Sequence, residues 1–333
     1  MSNHGYKGGA MRSLSGVSLA GVAALALSLM AGCGKVGELK AMKSFKAANQ
    51  AYQAQDYKRA AELYEETIQA APDSDQAHES YFFLANSYDQ QYKPSKKGEP
   101  ENEALLTKAA QDYQLAAEKL STSSNAGDKQ LGKRSLEYLV AVYGPDKLND
   151  PGKAEPVVQR MIAIEPGEPT NYFALAKIYE DAGAYDNAEQ MLLKAKDAKP
   201  NDGDVYKQLA GYYNRQGQFD KTIDAFEQGA SKNPNNPEGY YTIAVFYWDE
   251  AYRDARLKEA QKKDFVLKGL AATDRALEIK PDYVDALVYK GLLLRLAANF
   301  EKDQKKVQEY IKQADQLRDK AIAIKKQKST GSQ

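Results

Sequence analysis

The chain has 333 residues, of which 46 are basic and 46 acidic, so its formal net charge at pH 7 is zero. This balance gives no reason to expect nucleic acid as a partner, since proteins that bind phosphate backbones carry clustered excess positive charge. The single cysteine excludes an intramolecular disulfide. Side-chain packing must therefore stabilise the fold, and the scarcity of alternating Val-Ile-Thr runs favours helices over strands.

The N-terminal segment has the pattern of a secretory signal. A short basic start at Met11 and Arg12 precedes an apolar run from Leu14 to Met30, and small residues then lead to Cys33. We place the true start at Met11 and the signal peptide over residues 1–32. The alternative is an uncleaved membrane anchor with a stray cysteine, but the apolar run is about 17 residues long and a span needs about 20.

Residues 30–33, Met-Ala-Gly-Cys, resemble the lipobox of bacterial lipoproteins, with methionine where leucine is usual. The resemblance implies cleavage before Cys33 and acylation of that cysteine by two or three chains, which hold a protein stably on a membrane. Gly34 follows the cysteine, where aspartate would favour the inner membrane in enteric bacteria. The resemblance therefore favours the outer membrane, facing the periplasm, with residues 33–40 as the lipidated N-terminus and tether.

Residues 169–236 contain a pattern that repeats after 34 residues. The first unit has Tyr172, Leu175, Ala176, Tyr179, Gly183, Tyr185, Ala188, Leu192, Ala195 and Pro200. The second unit has Tyr206, Leu209, Ala210, Tyr213, Gly217, Phe219, Thr222, Phe226, Gly229 and Pro234. The first four positions lie on one helical face, and small, large and small residues at i, i+4 and i+7 lie on a second helix. This pattern resembles the tetratricopeptide repeat (TPR).

The same frame extends in both directions and predicts about seven repeats over residues 41–326. The predicted repeats are 41–74, 78–121, 133–168, 169–202, 203–236, 237–283 and 284–326, followed by a polar tail at 327–333. The resemblance implies an all-α fold, an α-α superhelix or TPR solenoid of helix-turn-helix repeats. One helical pair cannot bury its apolar face alone, so stacking of neighbouring repeats must supply the core.

Four repeats carry insertions, all in the turn after the first helix. The insertions in repeats 237–283 and 284–326 contain no glycine or proline between Trp248 and Lys268 or between Arg295 and Gln313, so they predict longer helices and a ridge on one edge. The insertion around residues 93–100 contains glycine and prolines and predicts a mobile loop.

Residues that could support catalysis are sparse. His78 and Glu79 begin a zinc-protease motif, but Phe82 stands where the second histidine is required. His78 is the only histidine after the signal, and its place near a helix start predicts a solvent-facing side chain. No serine or cysteine nucleophile has a histidine base available, and no phosphate-binding glycine pattern occurs. We predict no catalytic residue, metal site or cofactor, and no enzymatic activity.

The first helices of the repeats are expected to line an inner groove. Within the repeat frame, their core positions are 4, 7, 8 and 11, which places positions 2, 5, 9, 12 and 13 on the opposite, inner face. The predicted partner-binding residues at these inner positions are Phe82, Phe173, Lys207, Arg215, Tyr241, Val245 and Trp248. Aromatic anchors with two cations suit a peptide that carries an acidic group. Alternatively, Trp248 packs against its own insertion, and Phe82 and Phe173 fill gaps between repeats.

These features predict a lipid-anchored TPR scaffold that binds a protein or peptide partner in the bacterial cell envelope, for assembly or recruitment of envelope machinery. Either the inner groove or the inserted ridge could be the binding surface. The alternative is a ligand-binding lipoprotein that holds a small molecule or glycan in the aromatic groove. A small-molecule site needs a closed pocket, which an open solenoid seldom forms.

Overall fold

The computed structural model describes residues 19–330 of the chain and the side chains of residues 35–329. The start of the predicted signal peptide, the Cys33 side chain and residues 331–333 lie outside the described part. The first half of the described range contains α1 (Leu19–Gln53), α2 (Tyr57–Ala70), α3 (Asp75–Gln91), a 3₁₀ turn (Pro94–Lys96), α4 (Pro100–Ser121), α5 (Ala126–Tyr143) and α6 (Pro151–Ile164). The second half contains α7 (Pro169–Asp181), α8 (Tyr185–Ala198), α9 (Gly203–Arg215), α10 (Phe219–Lys232), α11 (Pro237–Arg253), α12 (Glu259–Ile279), α13 (Val284–Phe300) and α14 (Gln304–Thr330).

The helices divide between two compact units, residues 1–157 and 158–333, with the boundary inside α6. In the first unit, each helix from α1 to α5 packs against the next, and α3 also contacts α1 and α5. In the second unit, α7 pairs with α8, α9 with α10, α11 with α12 and α13 with α14, and successive pairs contact each other. The described residues contain no strand. The predicted all-α fold of helical hairpins is confirmed.

The repeat frame predicts the core of the second unit correctly. Ala188 and Ala195 have no exposed surface, and Leu175 and Leu192 have almost none. The first tyrosine of two repeats also holds the preceding turn: the Tyr172 hydroxyl donates a hydrogen bond to the Pro166 carbonyl at 3.0 Å, and the Tyr206 hydroxyl donates one to the Pro200 carbonyl at 2.7 Å. The frame places Glu189 on the solvent side, which is wrong, because its carboxylate accepts a hydrogen bond from the Tyr213 hydroxyl at 2.7 Å and pairs with Lys221 at 3.0 Å.

Two glycines inside helices provide a matched test of this packing. A Cβ on Gly229 would lie 2.8 Å from the Cβ of Tyr206, whereas a Cβ on Gly211 would meet only the flexible end of Arg215, at 3.4 Å. Gly211→Ala is expected to stabilise the protein by about 0.5–1 kcal/mol, the usual gain from removing a helical glycine. Gly229→Ala gains the same helix propensity, but overpacking costs about 1–3 kcal/mol. Urea unfolding followed by circular dichroism measures both, and equal shifts would contradict the repeat packing.

The insertions in the last two repeats lengthen their helices, as predicted. Helices α7 to α10 have 13 or 14 residues, whereas α11 and α13 have 17 each, α12 has 21 and α14 has 27. Aromatic residues inside the longer α11 therefore extend beyond the ordinary repeat.

The insertion around residues 93–100, predicted to be a mobile loop, contains a 3₁₀ turn and is held by side-chain hydrogen bonds. The buried side chain of Asn102 accepts a hydrogen bond from the Lys93 amide at 2.9 Å and donates to the carbonyls of Lys93 and Lys96 at 3.1 and 3.0 Å. Lys97 donates to the Pro145 carbonyl at 2.9 Å. The insertion is thus fixed by one buried amide from the following helix.

The residues predicted as a tether continue α1. A Cβ on Gly37 would lie 2.6 Å from the Ala70 carbonyl oxygen, and Lys40 pairs with Glu66 at 3.2 Å, so this part of α1 lies against the end of α2. At the other end of the chain, Lys328 in the predicted tail belongs to α14 and pairs with Asp282 at 3.4 Å. In the described part of the chain, none of the helices has the length and hydropathy that a transmembrane span requires.

Candidate functional site

Helix α11 displays an aromatic face in the second unit. Asn236 caps its start by accepting a hydrogen bond from the Glu238 amide at 3.1 Å, and Pro237 occupies the first turn, where a missing amide proton costs nothing. From this start, Tyr241, Val245 and Trp248 fall at i, i+4 and i+7 on one face. The three predicted residues are therefore brought together.

Three further tyrosines join this face. The Trp248 ring stacks on Tyr252 with centroids 5.0 Å apart and planes 9° apart, and Tyr289 meets Trp248 edge-on at 5.7 Å and 85°. Tyr289 also lies perpendicular to Tyr241 at 5.5 Å, and Tyr241 contacts Tyr283 at 5.3 Å. We call these five side chains, Tyr241, Trp248, Tyr252, Tyr283 and Tyr289, the aromatic patch.

The patch is partly open to solvent. Tyr252 is 62% exposed, which is high for so large a ring, and the other four side chains are half-buried. Trp248 also packs against a buried cluster that includes Ala244, Leu293 and Leu296. This packing agrees with the alternative in which Trp248 packs against its own insertion, and its role in partner binding stays a prediction.

Two carboxylates border the patch. Burial, together with the nearby Tyr289 and Asp285, raises the pKa of the Tyr241 hydroxyl to about 12. Burial also raises the pKa of Tyr283, as do Asp285 and Glu238. The phenols are thus protonated hydrogen-bond donors at neutral pH, and Asp285 and Glu238 place negative charge beside them.

The two predicted cations are engaged in ion pairs. The Arg215 guanidinium donates to both carboxylate oxygens of Glu180, Nε to Oε1 at 2.8 Å and Nη2 to Oε2 at 2.9 Å. Lys207 pairs with Asp204 one turn away at 3.2 Å. An acidic partner would have to compete with these carboxylates, and recognition of an acidic group by Lys207 and Arg215 stays a prediction.

The two predicted phenylalanines differ in accessibility. Phe82 is only 4% exposed, because Phe83, Tyr113 and Tyr138 enclose its ring within the first unit. Phe82 is therefore a core residue and offers no surface to a partner, which corrects its assignment as a partner-binding residue. Phe173 is half-buried on α7.

Sequence reasoning missed Tyr252, Tyr283 and Tyr289. Tyr252 could have been found, since it follows Trp248 by four residues and thus lies on the same helical face once the insertion is read as helix. Tyr283 precedes the predicted start of the last repeat, and Tyr289 falls one position outside the predicted inner positions. Only the packing of α13 against α11 brings these two tyrosines to the patch.

Residues 147–211 match the family model described as a tetratricopeptide repeat. This segment of the chain therefore contains a tetratricopeptide repeat. The C-terminal part of a TPR protein from Cytophaga hutchinsonii is 18% identical, covers 84% of this chain and 98% of its own, and has a TM-score of 0.49. A TPR protein from Parabacteroides merdae is 13% identical, with coverages of 83% and 99% and a TM-score of 0.44. The MamA protein is 17% identical, with coverages of 66% and 94% and a TM-score of 0.39. Nothing among the curated proteins matches.

His78 belongs to a hydrogen-bonded group with Asp128 and Ser123. His78 is half-buried, and its Nδ1 lies 2.9 Å from Asp128 Oδ2, so the prediction of a solvent-facing side chain is wrong. Ser123 donates to the same carboxylate oxygen at 2.6 Å. The serine is thus bonded to the aspartate and not to the histidine, and nucleophile and base are not in contact. Among the described residues, no group of His, Cys, Asp and Glu side chains could hold a metal ion.

The Arg215–Glu180 pair predicts a pH-dependent contribution to stability. Hydrogen bonding to Arg215 lowers the pKa of Glu180 from its ordinary value of 4.5. The stabilisation is therefore present above pH 4.5 and is lost as the pH falls through the lower folded-state value. We expect Glu180→Gln to cost about 0.5–1 kcal/mol at pH 7, since the arginine is partly exposed. Urea unfolding at decreasing pH measures the loss. Asp186→Asn, at an exposed acid of the same repeat, is the control, and a cost that persists at low pH would contradict the assignment.

Proposed function

We propose that this TPR protein is an adaptor that binds a segment of a protein partner on the aromatic patch. TPR folds serve as protein-interaction scaffolds, and exposed aromatic side chains backed by a packed core are the usual anchors of such interfaces. The observation that carries the proposal is the stacked pair of Trp248 and Tyr252, in which the outer ring is 62% exposed while the inner ring is fixed by the core. A pre-arranged aromatic surface costs little side-chain entropy on binding.

The proposal also places the adaptor on a membrane. The Met-Ala-Gly-Cys sequence at residues 30–33 supports acylation of Cys33, and Gly34 supports the outer membrane with the repeats in the periplasm. The partner would then be a component of the cell envelope that the anchored repeats assemble or recruit. Lipid anchoring would confine the search for this partner to the membrane surface.

Site-specific photo-crosslinking in intact membranes tests the binding surface. A photoreactive residue replaces Tyr252 in the full chain, and a matched probe replaces Leu267, which is also 62% exposed but lies on α12. Leu267 lines a cleft of about 470 Å³ together with Phe300 and Tyr310. The probe at position 267 therefore tests binding at the inserted ridge. We expect one discrete protein adduct from position 252 that Trp248→Ala reduces. An adduct from position 267 alone would assign binding to the ridge, and the absence of any adduct at 252 would contradict the proposal.

A small-molecule or glycan ligand is the second candidate. A cleft of about 610 Å³ lies among α9, α10 and α11, and polar side chains line it, including Asn201, Lys207, Lys232 and Asn233. This volume suits a small ligand. A ligand in this cleft would be expected to protect Lys207 and Lys232 from chemical modification, whereas a protein segment on the aromatic patch would not.

A further inference from the structure

The aromatic patch has the geometry of a cation site. A cation is attracted to the face of an aromatic ring, most strongly to tryptophan. In the patch, Tyr252 is stacked on Trp248 and is 62% exposed, so the outer face of its ring is open to a cation. One ring already holds a cation of the chain itself: the Lys280 ammonium lies 5.4 Å from the centroid of Tyr283.

The charges around the patch also favour binding of a cation. Asp285 lies in the first turn of α13 and Glu238 in the first turn of α11, and the described part of the chain places no cation in ion-pair contact with either carboxylate. Asp249, also on α11, is occupied by Arg253 at 2.7 Å. Asp285 and Glu238 therefore place two negative charges at the border of the patch, against the one positive charge of Lys280.

The cations that would attract an acidic partner are not free. Arg215 is held by a two-point pair with Glu180, and Lys207 by Asp204. Binding an acidic group there requires breaking an existing ion pair, whereas binding a basic group at Asp285 and Glu238 forms new ones.

We infer that the aromatic patch recognises lysine or arginine side chains of a basic segment in the partner protein, with the cations against the rings and the carboxylates of Asp285 and Glu238 beside them. This inference rests on the proposed function and names the chemistry of the segment bound. It reverses the expectation, drawn from Lys207 and Arg215, that the partner carries an acidic group.

Titration of the purified full chain with two model peptides tests the inference. The probes are a peptide of alternating arginine and alanine and the same peptide with glutamate in place of arginine. Trp248 is the only tryptophan of the chain, so its emission reports binding at the patch directly. We expect the arginine peptide to give a saturable change in emission that weakens with salt, and the glutamate peptide to give none.

Three variants separate a specific site from general charge attraction. Asp285→Asn with Glu238→Gln is expected to weaken binding of the arginine peptide about fivefold, the size expected for two exposed charge contacts. Asp146→Asn with Glu137→Gln removes the same charge from exposed positions in the first unit and is expected to change affinity little. Tyr252→Leu keeps an apolar side chain but removes the ring face, and we expect it to weaken binding as well.

The outcomes distinguish failure of the inference from failure of the proposed function. Tighter binding of the glutamate peptide, no binding of either peptide, or equal loss in the two charge variants would overturn the inference. An adduct at position 252 that maps to an acidic or uncharged partner segment would overturn it too, while the proposed function stands. If position 252 gives no adduct in membranes, the proposed function fails whatever the peptides do.

Discussion

Replacing Trp248 with alanine is expected to lower the free energy of unfolding by about 3 kcal/mol and also to abolish capture of the partner. The stability loss follows from the packing of one side of the indole against Ala244, Leu293 and Leu296. The binding loss follows because the same ring supports Tyr252 from behind, at a centroid distance of 5.0 Å. A single alanine variant therefore cannot separate the two roles of this tryptophan.

Tyr252→Ala is the matched variant that separates them. Its ring is mostly exposed, so its loss is expected to cost less than about 1 kcal/mol of stability, whereas loss of an interface anchor costs about 2 kcal/mol or more of binding. Urea unfolding followed by circular dichroism reports stability in both variants, including the one that lacks tryptophan. A stable Tyr252→Ala protein that captures its partner as well as the wild type would show that the exposed ring is not an anchor.

The helical core was accessible to sequence reasoning because it repeats. Ala188 and Ala195 are small and recur at the spacing of a packed helix face, so periodicity alone identifies them as core. The same frame placed Tyr241, Val245 and Trp248 on one face, since three positions on one helix need no knowledge of a neighbour. Local periodicity thus predicts which side of a helix a residue occupies.

The repeat frame could not predict which side chains from other helices pack over a given helical face. Phe82 lies at an inner position, but Tyr138 from α5 closes over its ring. The orientation of Tyr138 depends on how α5 packs on α3 and α4 after a long insertion, which periodicity does not encode. The same limit explains Asn102, whose contacts fix a loop with the composition of a mobile one.

Some contacts that sequence reasoning missed could be predicted from the length of the repeat. Glu180 and Arg215 are 35 residues apart and Tyr52 and Asn86 are 34 apart, and both pairs are hydrogen-bonded. In stacked repeats of this period, such residues lie at neighbouring positions of adjacent helices. Opposite charges about one period apart therefore indicate an ion pair, and this rule would have predicted the pairing of Arg215 with Glu180.

Changing Cys33 to serine is expected to release the protein from the membrane. Each buried methylene of an acyl chain contributes about 0.8 kcal/mol, and two or more chains anchor a protein stably, whereas a serine at this position carries none. In the wild type, we expect mass spectrometry of the purified protein to find an acylated cysteine as the first residue and fractionation to recover the chain with the membranes. A mature chain that starts elsewhere, or that retains residues 11–32, would contradict the assignment.

Gly34→Asp is the control that leaves acylation intact. In an enteric host it is expected to keep the protein on a membrane but to shift it from the outer to the inner one, because only the sorting position changes. Density-gradient separation of the two membranes measures this shift. Release of both variants would indicate that the substitutions disturb export or folding and not anchoring, whereas retention of Cys33→Ser would show that the apolar segment itself holds the chain, as an uncleaved anchor would. Release of Cys33→Ser alone would tie membrane attachment to the cysteine and leave the repeats as the part of the molecule that faces the partner.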